Sequence, residues 1–215
     1  MSLNNQKEWS NPSAAGLVAL AVACYIFFAL LSGRLGTKPG ELNALPLIAG
    51  WLFGGFVIQF ITALIDLKGG NHVGGNTFLF FSAFFMLSSS IGMAMKSFVP
   101  YLDARVDGYV FLVLSITIWL WAPAFYKGNP FLFYIIVLLG VACPILAICD
   151  LKLVTGVTAK SLANFAAYVF LVIGTIGMYA AGAIVVNTAY GKELFPVPKP
   201  LYKEKKEKLV ANAVK

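Results

Sequence analysis

Few side chains in this sequence are equipped for chemistry, and none of them forms a catalytic set. There is one histidine, His72, and there are three cysteines, Cys24, Cys143 and Cys149. His72 has no nucleophile or acid at motif spacing, and a lone loop histidine is a weak candidate for a base. No HExxH, GxSxG or phosphate-loop pattern occurs. Gly54-Gly55 and Gly174-Thr175-Ile176-Gly177 follow no strand that would make them dinucleotide loops. The cysteines show no CxxC and no ligand-spaced partner, so they read as buried thiols, and no metal or cofactor is implied. The chain therefore reads as something other than an enzyme. The polar residue that stands out is Gln59, isolated in an apolar run just beyond Gly54 and Gly55. A polar side chain in an apolar medium needs a partner or a wet cavity, which makes Gln59 a candidate for lining or bracing a solute path.

The elements that must position Gln59 follow from where charge is missing. Charged residues make up 12% of the 215-residue chain, against about a quarter in a soluble domain, and 60% are hydrophobic. No Asp, Glu, Lys or Arg falls within Trp9–Gly33, Leu42–Ile65, Gly69–Met95, Gly108–Tyr126, Gly128–Cys149 or Ser161–Gly191. Each window holds the roughly 20 residues that cross about 30 Å of hydrocarbon as a helix. The expected fold is an all-α integral membrane protein with six transmembrane helices. They are expected from Asn11-Pro12 to about Ser32, then over about Ala44–Leu67, Asn76–Lys96, Asp107–Phe125, Pro130–Leu151 and Ala159–Thr188. The expected division is an N-terminal tail over 1–8, a transport domain over 9–191 and a basic tail over 192–215. Seven of the 16 basic residues lie in that last tail, among Glu193, Glu204 and Glu207. It reads as a solvated cytoplasmic tail, not a nucleic-acid site. Counting its lysines places both termini in the cytoplasm.

An internal repeat suggests a plan for the six helices. The second ends Leu64-Ile65-Asp66-Leu67-Lys68 and the fifth ends Ile148-Cys149-Asp150-Leu151-Lys152. Pro46 stands 20 residues before Asp66, and Pro130 stands 20 before Asp150. Gly70 and Gly156 follow, then Asn76 and Asn164. Asp66 and Asp150 read as structural boundary residues, with Gly54, Gly55 and Gly70 as backbone-packing positions. Three spans in each half would give the halves opposite orientation, a plan that recurs in transport proteins. No Lys or Arg lies mid-span, so an anion would be met by helix N-termini or would cross protonated. Asn11-Pro12, Asn76-Thr77 and Asn164 mark the expected N-termini.

Asn11-Pro12-Ser13-Ala14-Ala15-Gly16-Leu17 resembles the N-P-A-P-L-G-L signature of the acetate uptake transporter family, which includes the succinate–acetate permeases. Gly54-Gly55 and Gln59 extend the likeness. Asp66, Gly70-Asn71, Gly74 and Phe78 then resemble the family's E-x-x-x-G-N-x-F-G-x-T-x-F run. Tyr179, Asn187, Gly191 and Pro196 are similar in spacing to its later positions. The chain departs where the second motif proline is Ala14, the Glu is Asp66, the Phe is Val73 and the Thr is Asn76. The family's Y-G-x-F-W reads Phe81-Ser82-Ala83-Phe84-Phe85, which removes a hydroxyl donor from the path.

The resemblance implies a hexamer whose protomers each hold a pathway for small carboxylates, the monocarboxylate acetate and also succinate, moved with a proton or as an anion. Asn11 and Asn71 would receive the carboxylate. Pro12, Gly16, Leu17 and Gln59 would line the route, and Leu20, Phe81 and Leu139 would form its constriction. The membrane implied is the inner membrane. Two rival readings are a channel for a small neutral solute such as urea or a short amide, and a membrane sensor that uses the basic tail.

Overall fold

The computed structural model describes residues 10–38, 42–99 and 101–202. The expected tail over 1–8 and the last part of the basic tail lie outside them. Six stretches are helical, long and apolar enough to cross a membrane. They are α1 (Ser13–Leu31), α2 (Leu45–Lys68), a third span over His72–Phe98, α5 (Arg105–Tyr126), α6 (Pro130–Asp150) and α7 (Gly156–Tyr190). The fold is a six-span, all-α membrane protein. The helices form where expected because a backbone in lipid has to satisfy its own hydrogen bonds.

Outward faces are as apolar as inward ones. Leu120 is 74% exposed and Trp51 65%, which suits a surface in contact with lipid. Inside, α1 packs along α2 and α7, and α6 bridges α5 and α7. The core runs the length of the bundle through Leu17, Leu52, Met86, Ile118, Leu139 and Ile173. Glycines set the close approaches. A Cβ at Gly16 would lie 2.6 Å from the ring of Phe78, and one at Gly55 would lie 3.0 Å from Met86 Sδ. Gly54 instead faces outward with open space around it.

The third span is three pieces: α3 (His72–Phe80), a π-helical stretch over Phe81–Leu87, and α4 (Ser88–Phe98). In the π stretch the ladder slips by one residue, so the Ser88 amide reaches Ala83 O. Nothing in the composition announces this slip. The span also begins earlier than expected. Asn71, not Asn76, is the cap, its side chain accepting from Gly74 N at 3.0 Å. Asn76 lies one turn inside α3 and Asn164 lies well inside α7, so neither marks a helix start. His72 is the first residue of α3, not a loop residue.

The Asp-Leu-Lys repeat has a structural counterpart with a shift. At the end of α2 the amides of Gly69, Gly70 and Asn71 reach Ile65, Leu67 and Asp66 O. At the end of α6 the amides of Leu151, Lys152 and Leu153 reach Ala147, Cys149 and Ile148 O in the same pattern. This is the left-handed helix cap. Gly70 (φ +81) holds the left-handed position in one and Lys152 (φ +58) in the other. Lys68 closes α2, whereas α6 already closes at Asp150.

The described part of the expected basic tail, residues 192–202, folds back on the bundle. Asn187 Oδ1 accepts from the amides of Leu194 and Phe195, and its Nδ2 donates to Phe195 O. Tyr179 donates its hydroxyl to Pro196 O, and its ring stacks on Phe195. Tyr202 meets Tyr126 and Lys127 at the end of α5.

Candidate functional site

One enclosed cavity, about 20 Å³, lies toward the end of the bundle where α1, α3 and α6 begin. That is room for about one water. Helix α1 contributes Leu17 and Leu20, and α2 contributes Gln59. The third span contributes Gly74, Thr77, Phe78 and Phe81, α5 contributes Phe125, and α6 closes the wall with Leu132, Ile135 and Ile136. Five of the six spans therefore meet here.

Gln59 is fully buried. Its Nε2 donates to Gly16 O on α1 at 3.2 Å. That bond fixes the amide, because turning it over would set two oxygens face to face. Its Oε1 has no partner. A buried acceptor left open is costly, on the order of 1–3 kcal/mol, and Gln59 lines a cavity able to hold a donor. The other polar groups of the lining are already engaged. Thr77 donates its hydroxyl hydrogen to Val73 O at 2.7 Å, and the Gly74 amide donates to Asn71 Oδ1. No charged side chain lines the cavity. The nearby carboxylate is Asp66, 6% exposed, which takes Asn71 Nδ2 at 3.1 Å behind Gly74. The walls are otherwise apolar and hold no cationic side chain, and Gln59 Nε2 keeps a second N–H besides the one given to Gly16 O. They suit a small molecule with an apolar body and one polar head, and they suit a bare carboxylate poorly for want of a countercharge.

Leu17, Leu20, Gln59 and Phe81 come together around this cavity, and Gly16 holds Gln59 in place. Asn11 does not reach it: exposed, it caps α1 by accepting from Ser13 N at 2.8 Å, with Pro12 at the helix boundary. Asn71 is likewise exposed, with both ends of its amide engaged on Gly74 and Asp66. Leu139 is buried further along α6, one turn past the lining residues Ile135 and Ile136. Gly70 supplies the turn after α2. Asp150 lies at the other end of the bundle, within electrostatic reach of Lys96 and Asp107.

Thr77 and Phe125 belong to the lining but were not singled out as path residues from the sequence. Thr77 stands in the first turns of α3 and Phe125 two residues after Pro123, a proline inside α5. Proline in a span was the one local signal available for the second of them. The π stretch begins at Phe81, whose ring lines the cavity and packs at a tilt against Phe85, their centroids 4.9 Å apart.

No family model and no curated protein matches the chain. Among solved structures it is similar to that of the bacterial acetate channel SatP, at a TM-score of 0.76 and 19% identity, over 88% of this chain and 99% of that one. At that identity, what the two are shown to share is the fold.

Proposed function

We propose that this chain moves small carboxylic acids, the monocarboxylate acetate first and the dicarboxylate succinate as a larger candidate, across the inner membrane. One observation carries the reading. Gln59 Oε1 is a buried, unpartnered acceptor, and its residue lines a water-sized cavity at the meeting of five spans. An acid bearing its proton donates to that oxygen, and its methyl group rests on Leu17, Leu20 and Phe81. The apolar lining, with no cationic side chain, favours passage of the protonated acid over that of a bare anion. The resemblance of the α1 and α2–α3 motifs to the acetate uptake transporters and the likeness to an acetate channel support the same solute class. On this reading the working form is a hexamer with a separate route in each protomer, cytoplasmic termini, two inverted three-helix halves, and no catalytic step.

The test is uptake of radiolabelled acetate by proteoliposomes, corrected for the leak of protein-free vesicles. Uptake above that leak, raised when the outside is more acid than the lumen and lowered when the gradient is reversed, is the expected result. Uptake equal to the leak under every gradient rejects the reading. The same open acceptor also suits an N–H donor, which keeps a channel for urea or a short amide as the second reading. Vesicle swelling in acetamide or urea that exceeds acetate uptake would favour it.

A further inference from the structure

A second hollow, about 300 Å³, opens at the surface between the first turns of α3 and the last turns of α5. It is more polar than the inner cavity. His72 and Asn76 line one wall and Trp121 the other, and Asn76 is held by donating its Nδ2 to His72 O at 2.8 Å. Two residues, Thr77 and Phe125, line this hollow and the inner cavity as well. They are the partition between this wider hollow and the cavity that Gln59 lines.

The inner cavity must widen to admit solute: it holds about one water, whereas acetic acid has four non-hydrogen atoms. The two sides of the partition are unequally fixed. Thr77 is pinned by its hydroxyl bond to Val73 O. Phe125 sits in the last turn of α5, two residues after Pro123. That proline has no N–H to give to the carbonyl one turn back, at Trp119, so the turn that carries Phe125 lacks a rung of its ladder. The Phe125 ring is 2% exposed and closes the gap.

We propose that the His72–Asn76 hollow is the mouth by which solute enters, and that Phe125 is the door between it and the Gln59 cavity, with Thr77 as the fixed jamb. The proposal rests on the transport reading above. It names a route and a gating residue that neither the motif resemblance nor the fold likeness assigns.

The experiment introduces Asn76→Cys into the full-length chain carrying Cys149→Ser, Cys24 and Cys143 being buried. Acetate uptake into proteoliposomes is measured before and after reaction with a bulky methanethiosulfonate. Leu153→Cys, exposed at the opposite end of the bundle, is the control. The expected result is loss of protein-dependent uptake on labelling Cys at position 76 and no change on labelling at 153. Uptake unchanged by labelling at 76 overturns the proposal and leaves the transport reading standing. No uptake by the parent chain removes the transport reading and this inference with it. Phe125→Ala gives an independent check. A door of smaller cross-section should raise the butyrate-to-acetate uptake ratio by about tenfold, the discrimination that one or two methylenes bring in a tight apolar slot. An unchanged ratio in folded Phe125→Ala protein, judged by monodisperse elution, speaks against the door.

Discussion

The two ends of the bundle are built from similar helix caps but do different things. At the end where α2 finishes, polar groups gather around open space: Gln59 on Gly16, Asp66 on Asn71, Asn71 on Gly74, with the cavity beside them. At the end where α6 finishes, the polar groups are ions tied to one another. Lys96 meets Asp107 at 2.7 Å, and Arg105 holds Asp103 through two nitrogens. Between that end and the cavity the core is filled, with Phe27 against Phe170 and Leu139 and Cys143 buried. One end thus keeps a small internal space behind Phe125, and the other is packed and tied by ion pairs. Alternating access would require the sealed end to loosen in turn.

The sharpest way to break this contrast is to remove the open acceptor. Gln59→Leu should abolish protein-dependent acetate uptake while shifting the unfolding midpoint in detergent little, since the loss of one net hydrogen bond, about 1 kcal/mol, is offset by removal of an unpaired buried oxygen. Retained uptake would move the function of the open end elsewhere. Next in size is a pair of truncations. Leu20→Ala and Leu139→Ala should each destabilise by about 2–5 kcal/mol in thermal unfolding, both being buried. Only Leu20→Ala, at the cavity wall, should broaden the range of acids taken up. Broadening by Leu139→Ala would extend the route into the packed half.

A smaller effect separates the caps. Gly70→Ala should destabilise by about 1 kcal/mol, and Lys152→Gly should stabilise by a similar amount, because a side chain is disfavoured in the left-handed region. The smallest concerns the ionic end. Asp107→Asn should cost under about 1 kcal/mol, the pair being more than a third exposed, and leave uptake unchanged. Its neighbour Asp103 keeps its charge over any working pH. The hydrogen bonds from Arg105 hold its carboxyl down at about 2, so whatever this pair contributes is complete above the ordinary carboxylate range and is lost only as pH falls through that value. A pH profile of uptake between 5 and 8 should be the same in Asp103→Asn as in the parent.

The six spans were legible because lipid forbids unpaired charge and unpaired backbone, and the charge-free windows record both rules directly. The core of the site was legible for the same reason: Gln59 is conspicuous in a run that tolerates nothing polar. Its neighbours were harder to find. Thr77, Ile135 and Ile136 are ordinary residues for a span, and only the packing of helices distant in sequence gives them a shared space. Asn11 and Asn71 were natural choices to meet a carboxylate, yet both are exposed at the starts of their own helices and neither lines the cavity. The fold-back of residues 192–202 was hidden by the lysine run. Charge suggested a solvated tail, while Tyr179, Asn187, Phe195 and Pro196 tie it down. The π stretch left no trace in composition because it changes hydrogen-bond register, not residue type.

That register change sets the phase of the whole third span. A π turn accommodates one surplus residue, and excising it would rotate everything on one side by about 100° relative to the other. As built, the chain presents Thr77 and Phe81 to the cavity while Ser90, further on, donates to Ala49 O on α2. A regular α-helix of the same sequence could satisfy one of those two alignments but not both. Deleting Ala83 should therefore leave a straighter, fully hydrogen-bonded helix that is mistimed against its neighbours, with either its foot or its head turned the wrong way.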